Sequence, residues 1–194
     1  MHKTKKMETI AIKLQLGDMQ ITGYLNKIWQ THLIHYRYAT LKTKDYIQIW
    51  IEHLLLNSQN NPKLPCKSLL IGLDKDKKIK VWEYQPVKNS QEILKTLLHS
   101  YYWQGIIKPL HFFPESSLSF AEMMQKTENV ETALEKALEK WQGKTEDKQY
   151  RSEGDDDYYR LCFGPAEDNS YLLKTEEFQN LAQTFFEPLL ACAR

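Results

Sequence analysis

Apolar and polar residues alternate from Thr9 to Leu16, break at Gly17-Asp18, and alternate again from Met19 to Trp29. A period of two joined by a two-residue turn predicts a β-hairpin. Thr31–Tyr38, rich in aromatic and β-branched residues, predicts a third strand. The period then lengthens. Ile47, Trp50, Ile51, Leu54 and Leu55 recur at helical spacing and predict a long amphipathic helix. The polar loop Asn57–Pro65 follows, then two more strands, Cys66–Leu73 and Lys78–Tyr84, around the turn Asp74–Lys77. That turn lacks the glycine and distal glutamate of a calcium loop.

Asn89-Ser-Gln-Glu92 reads as a capping box for a helix with Ile93, Leu94, Leu97, Leu98 and Tyr101 on one face, ended by Gly105. Pro109–Ser117 reads as an aromatic loop, and Ser119 opens a short helix. Val130, Ala133, Leu134, Ala137, Leu138 and Trp141 form one stripe of a further helix over 130–141. A charged loop, 143–157, leads to a short strand at Tyr158–Phe163. Thr175 caps the last helix, with Leu181, Phe185 and Leu189 inward and Pro188 expected to kink or shorten it. The order β-β-β-α-β-β-α followed by helices predicts one α/β domain over 1–194, a mixed β-sheet flanked by helices.

Composition narrows the class. With 194 residues, 42% of them hydrophobic, the chain can fill a core. No apolar run approaches the ~20 residues that span a bilayer, and the basic start lacks a signal peptide's apolar stretch. Cys66, Cys162 and Cys192 are odd in number and far apart, which favours reduced thiols, and a cytosolic setting is expected. Net charge is only +1, but residues 1–112 carry 17 Lys/Arg against 8 Asp/Glu, and 113–194 carry 9 against 17. The basic half suits a phosphate backbone, the acidic half a basic partner, and solvated faces of both signs would give the same counts. No phosphate loop, dinucleotide motif, nucleophile elbow, H-E-x-x-H or C-x-x-C is present, so neither nucleotide cofactor nor metal is expected.

Gly23-Tyr-Leu-Asn26 is followed, nine residues on, by Ile34-His-Tyr-Arg37. This layout resembles the PD-(D/E)xK nuclease superfamily, in which G-x-[ILV]-D precedes [DE]-x-K on a neighbouring strand. There, carboxylates on one strand face hold the Mg²⁺ that activates water. Here the corresponding positions are Asn26, His35 and Arg37. An amide and an imidazole cannot offset a hard divalent cation, and Arg37 can grip a phosphate but not give up a proton.

Longer stretches resemble the C-terminal domain of the exodeoxyribonuclease V gamma subunit, the RecC family. They are Gly23–Leu25, Gln48-Ile-Trp-Ile-Glu-His-Leu54, Tyr101–Gly105 with Pro109-Leu-His-Phe-Phe-Pro-Glu-Ser116, Ser152-Glu-Gly-Asp-Asp-Asp-Tyr-Tyr-Arg-Leu161, and Phe185-Phe-Glu-Pro-Leu-Leu190. The resemblance implies a restriction-endonuclease-like fold that has lost catalysis, cut from a longer subunit of a bacterial helicase-nuclease. It implies RecB and RecD as partners, and double- and single-stranded DNA at a fork.

Arg37, Lys42 and Lys44 are the candidate DNA contacts, against a solvated basic edge. His35 reads as a hydrogen-bonded relic. His32 and His35, three apart, face opposite sides and share no metal. Phe112-Phe113 reads as core packing in preference to base stacking, and Trp50, Trp82, Trp103 and Trp141 as core or interface. Glu153, Asp155, Asp156 and Asp157 read as a solvated loop or a partner contact in preference to a cation site. Two other readings stand beside these: an active nuclease with relocated acids such as Asp18 or Asp45, and an interaction module that never touches DNA.

Overall fold

The computed structural model describes residues 5–143, 152–165 and 169–194. Of the charged loop 143–157, residues 144–151 lie outside the described residues. The chain divides into two compact units, one running up to Leu98 and taking in Cys192–Arg194, the other His99–Ala191.

The first unit opens with β1 (Ile10–Leu16) and β2 (Met19–Leu25), an antiparallel hairpin in which Leu16 faces Met19 and Ile10 faces Leu25. Gly17 takes φ +62° in its turn, a conformation that costs glycine nothing. Ile12, Leu14, Leu16 and Leu25 are buried along the hairpin. β3 (Leu33–Thr40), β4 (Ser68–Leu73) and β5 (Ile79–Tyr84) form a separate mixed sheet in that order, β3 parallel to β4 and β4 antiparallel to β5. The expected single sheet is thus two. β2 stops at Leu25, and at Lys27 the chain enters a left-handed turn (φ +62°) before the isolated bridge Ile28↔Leu33. Arg194 lies along the outer edge of β5, where it exchanges two backbone hydrogen bonds with Glu83 (3.1 and 2.9 Å).

α1 (Thr43–Asn57) crosses over from β3 to β4 and packs on β4 and on α2 (Ser90–Leu97). Its buried stripe is Tyr46, Ile49, Trp50, His53 and Leu54, rotated from the expected one; Ile51 is exposed. Gly72 lets β3 leave the sheet closely. A Cβ there would meet Leu41 Cδ2 at 2.4 Å and the Ala39 carbonyl oxygen at 3.3 Å.

The chain passes from the first unit into the second within a π-helical turn, Leu98–Trp103, that continues into α3 (Gln104–Ile107), so Gly105 does not end the helix as expected. α4 (Pro114–Thr127) starts at Pro114, earlier than predicted, because proline at the first helical position gives up an amide that would have no partner. α5 (Val130–Gln142) matches its predicted stripe and is capped by the Asn129 side chain, which accepts from Thr132 N (2.9 Å). Tyr158–Phe163, predicted as a strand, is the helix α6 (Asp157–Phe163), set by Asp156, whose carboxylate accepts from Tyr158 N (2.9 Å). α7 (Glu176–Cys192) is capped by Thr175 and runs past Pro188 for four residues. Phe113, Phe120, Trp141 and Phe178 are the large side chains of this unit's core. Phe113 is fully buried, as expected, whereas Trp103 is 47% exposed. Among the described residues no helix is long and apolar enough to cross a membrane.

Candidate functional site

Residues two apart on a strand share a face, and on β3 this turns His35 and Arg37 together towards α1. Asp45 and Glu52, two helical turns apart on α1, meet them. His35 Nε2 lies 2.7 Å from Glu52 Oε2, and Arg37 Nη1 donates to both Asp45 oxygens at 3.2 and 3.1 Å. Gln48 Nε2 donates to Glu52 Oε1 (3.1 Å), and Asp45 Oδ2 also accepts from the Lys42 backbone N–H (2.8 Å), closing the first turn of α1. Burial opposes ionisation of Glu52. The hydrogen bond and charge of His35, aided by Gln48 and the Lys27 ammonium, more than offset it and hold the carboxyl below its usual range.

Asn26 is exposed, one residue past the end of β2. The carbonyl of the next residue, Lys27, accepts from Ile34 N (3.0 Å), which ties this turn to the start of β3 beside His35. The structure therefore sets His35 and Arg37 side by side and Asn26 at the adjoining turn. Those three positions supply no carboxylate, and the two acids facing them are each paired with a cationic or imidazole partner. The donor set does not fit a hard divalent cation, which needs several free oxygens. Among the described residues no group of three or more His, Cys, Asp or Glu is arranged to hold a metal ion. Asp18 sits in the β1–β2 turn, at the other end of the seven-residue β2 from Asn26. His32 finds its partner elsewhere, 3.0 Å from Glu83 Oε1 on β5, where Lys67 also reaches the same oxygen (3.3 Å).

Lys42 and Lys44 are exposed at the start of α1, at the end of the sheet where β3 and β4 both finish. The β4–β5 turn lies at that same end and carries Lys75, Lys77 and Lys78, all exposed. Sequence reasoning treats this segment as a turn only; the run Asp74-Lys-Asp-Lys-Lys78 is its signal. By units, the first holds 17 Lys/Arg against 8 Asp/Glu and the second 9 against 17, so the charge asymmetry follows the structural division.

Two of the family-like stretches have structural work. In the first, His53 beside Glu52 is fully buried: its Nδ1 accepts from Ser68 Oγ (2.8 Å) and its Nε2 donates to the Gln85 carbonyl (3.0 Å). Both ring nitrogens are thus satisfied in the neutral form, and burial pushes the imidazole down to about 4. In the second, the Glu153 carboxylate accepts from Glu115 N (2.8 Å) and Ser116 N (2.7 Å), capping α4. Asp155 accepts from Ser152 Oγ (2.7 Å), and Asp156 caps α6. Within the acidic run, Glu153 and Asp156 close helices, while Asp155 and Asp157 stay exposed.

A family model for the RecC C-terminal domain matches residues 1–125, which include β1 to β5 and most of α4. The chain is 27% identical over 164 residues to the RecBCD enzyme subunit RecC of Escherichia coli (strain K12), an alignment covering 79% of this chain and 14% of that relative. The chain therefore spans about a seventh of the length of the curated relative it matches. With its hairpin, mixed sheet and first helix all inside the matched span, the chain belongs to the RecC C-terminal domain family.

Proposed function

We propose that this chain is a non-catalytic, restriction-endonuclease-like domain of a bacterial RecBCD-type helicase-nuclease. It docks against the RecB and RecD motors and guides the strands of a DNA fork during recombinational repair of double-strand breaks. One observation carries the reading. Where a PD-(D/E)xK site would present free carboxylates and a lysine, β3 presents His35 and Arg37, each already paired with an acid of α1. An α1 acid already paired with His35 or Arg37 is not a free carboxylate for a metal that would activate water at this position. The basic unit, with its exposed lysines at one end of the mixed sheet, supplies the electrostatic attraction that a DNA guide needs.

The test is a labelled forked duplex incubated with the 194-residue chain and Mg²⁺ or Mn²⁺ at neutral pH. The expected result is a bound but uncut fork, with affinity falling steeply as salt rises. Product that disappears with chelator would overturn the non-catalytic reading and return attention to Asp18 and Asp45. An uncut and unbound fork would remove the DNA role and leave docking, which co-purification with RecB and RecD measures.

A further inference from the structure

The side of β3 turned away from α1 carries Ile34, Tyr36, Tyr38 and Thr40. The register extends this face across the sheet: Tyr36 lies opposite Ile71, Ile71 opposite Val81, and Leu73 opposite Ile79. Much of it is open. Tyr36 is 72% exposed, Tyr38 98%, Ile79 77% and Val81 52%. The β3–β4 register shifts between Tyr36 and Thr40, and such an irregularity re-aims the side chain within it, here Tyr38. Two rings this exposed add nothing to the core, and a contiguous open apolar face marks an interaction site.

Charge says what covers it. Lys77 Nζ sits 3.5 Å from Thr40 Oγ1, which puts an ammonium at the end of the tyrosine row. Lys75 and Lys78 flank it in the same turn, and Lys42 and Lys44 follow Thr40 along the chain. The nearby acids are largely spent internally: Asp74 accepts from Lys78 N (2.8 Å) and Asp45 from Arg37, while Asp76 stays exposed and opposes the lysines. The arrangement is two exposed tyrosines two residues apart on one strand, leading to a cluster of cations. In a duplex, base faces are already stacked and paired. An unpaired strand offers them, together with its phosphates.

We propose that this open sheet face is a track for single-stranded DNA, with bases stacked on Tyr36 and Tyr38 and phosphates held by Lys75, Lys77 and Lys78 with Lys42 and Lys44. It rests on the DNA-guiding reading above and adds the face and the residues. The test is fluorescence anisotropy of the full 194-residue chain with a labelled oligothymidylate and with a duplex of equal length, at several salt concentrations. The expected result is preference for the single strand. Tyr36→Ala with Tyr38→Ala weakens it by about tenfold per ring at unchanged salt slope, while Tyr36→Phe with Tyr38→Phe retains it. Lys77→Gln with Lys78→Gln weakens single strand and duplex alike, and lowers the slope by about 0.7 for each phosphate no longer neutralised. If the chain binds DNA but the alanine pair binds the single strand as tightly as the parent, the track is overturned and the DNA-guiding reading stands. Preference for duplex overturns it in the same way. Failure of the parent chain to bind either nucleic acid overturns both, and leaves a protein surface as the occupant of this face.

Discussion

His53 shows how much one buried ring can carry. It stacks on Trp50 with centroids 5.8 Å apart, lies 5.7 Å from the Tyr84 ring, and joins α1 to β4 through Ser68 and to the residue after β5 through the Gln85 carbonyl. Burial holds it neutral down to about 4, whereas an unfolded histidine takes up its proton near 6.5. The unfolded chain therefore binds the extra proton first, and protonation favours unfolding. Stability falls as pH drops through 6.5, and this one group removes about 2 kcal/mol between pH 7 and pH 5, with the loss levelling off only below about pH 4. Urea denaturation at the two pH values measures the sum, and the imidazole resonances of His53 give its own titration; a midpoint near 6.5 in the folded state would contradict this. The residue is not legible as a core position, because an apolar count skips histidine. Only the two partners, one of them a backbone carbonyl, make it fit. Glu52 and Asp45 are equally hidden, since their roles depend on a strand that precedes them in sequence and lies beneath them in space.

At the scale of elements, the hairpin, the crossover from β3 through α1 to β4, and α5 are readable because period and capping agree there. Misreadings arise where a distant group sets the boundary. Tyr158–Phe163 looks like a strand by aromatic content, but the Asp156 side chain caps it as a helix. Asn89, expected to cap α2, makes no side-chain cap bond, and the helix forms without it. The start of α4 looks like a loop between prolines, yet Glu153, 38 positions beyond Glu115, covers its first amides. Burial drives the Glu153 carboxyl up to about 7 against the pull of those two N–H donors. Glu153→Gln turns an NH₂ donor towards one of the two amides and should cost about 1–2 kcal/mol in chemical denaturation. An unchanged midpoint would show that α4 does not depend on this cap.

For the whole molecule, the notable fact is that charge and structure divide together, a basic unit and an acidic one on a chain whose net charge is +1. Each unit has its own buried aromatics, Trp50 and Tyr84 in the first, Phe113, Trp141 and Phe178 in the second. Trp141→Ala opens a cavity beside Phe113, whose ring lies 4.4 Å away, and should destabilise the second unit by about 3–5 kcal/mol. Hydrogen exchange would then show amides of α4 and α5 losing protection while those of β4 keep theirs. Uniform loss across both units would mean that they unfold as one.

The two backbone hydrogen bonds between Glu83 and Arg194 have a consequence for synthesis on the ribosome. The segment that borders β5 is translated only after every residue of the second unit. Until it leaves the exit tunnel, the edge of β5 has unpaired backbone groups, a template for pairing with another chain. Deleting Ala193 and Arg194 would leave the Glu83 N–H and C=O on that edge permanently without these partners.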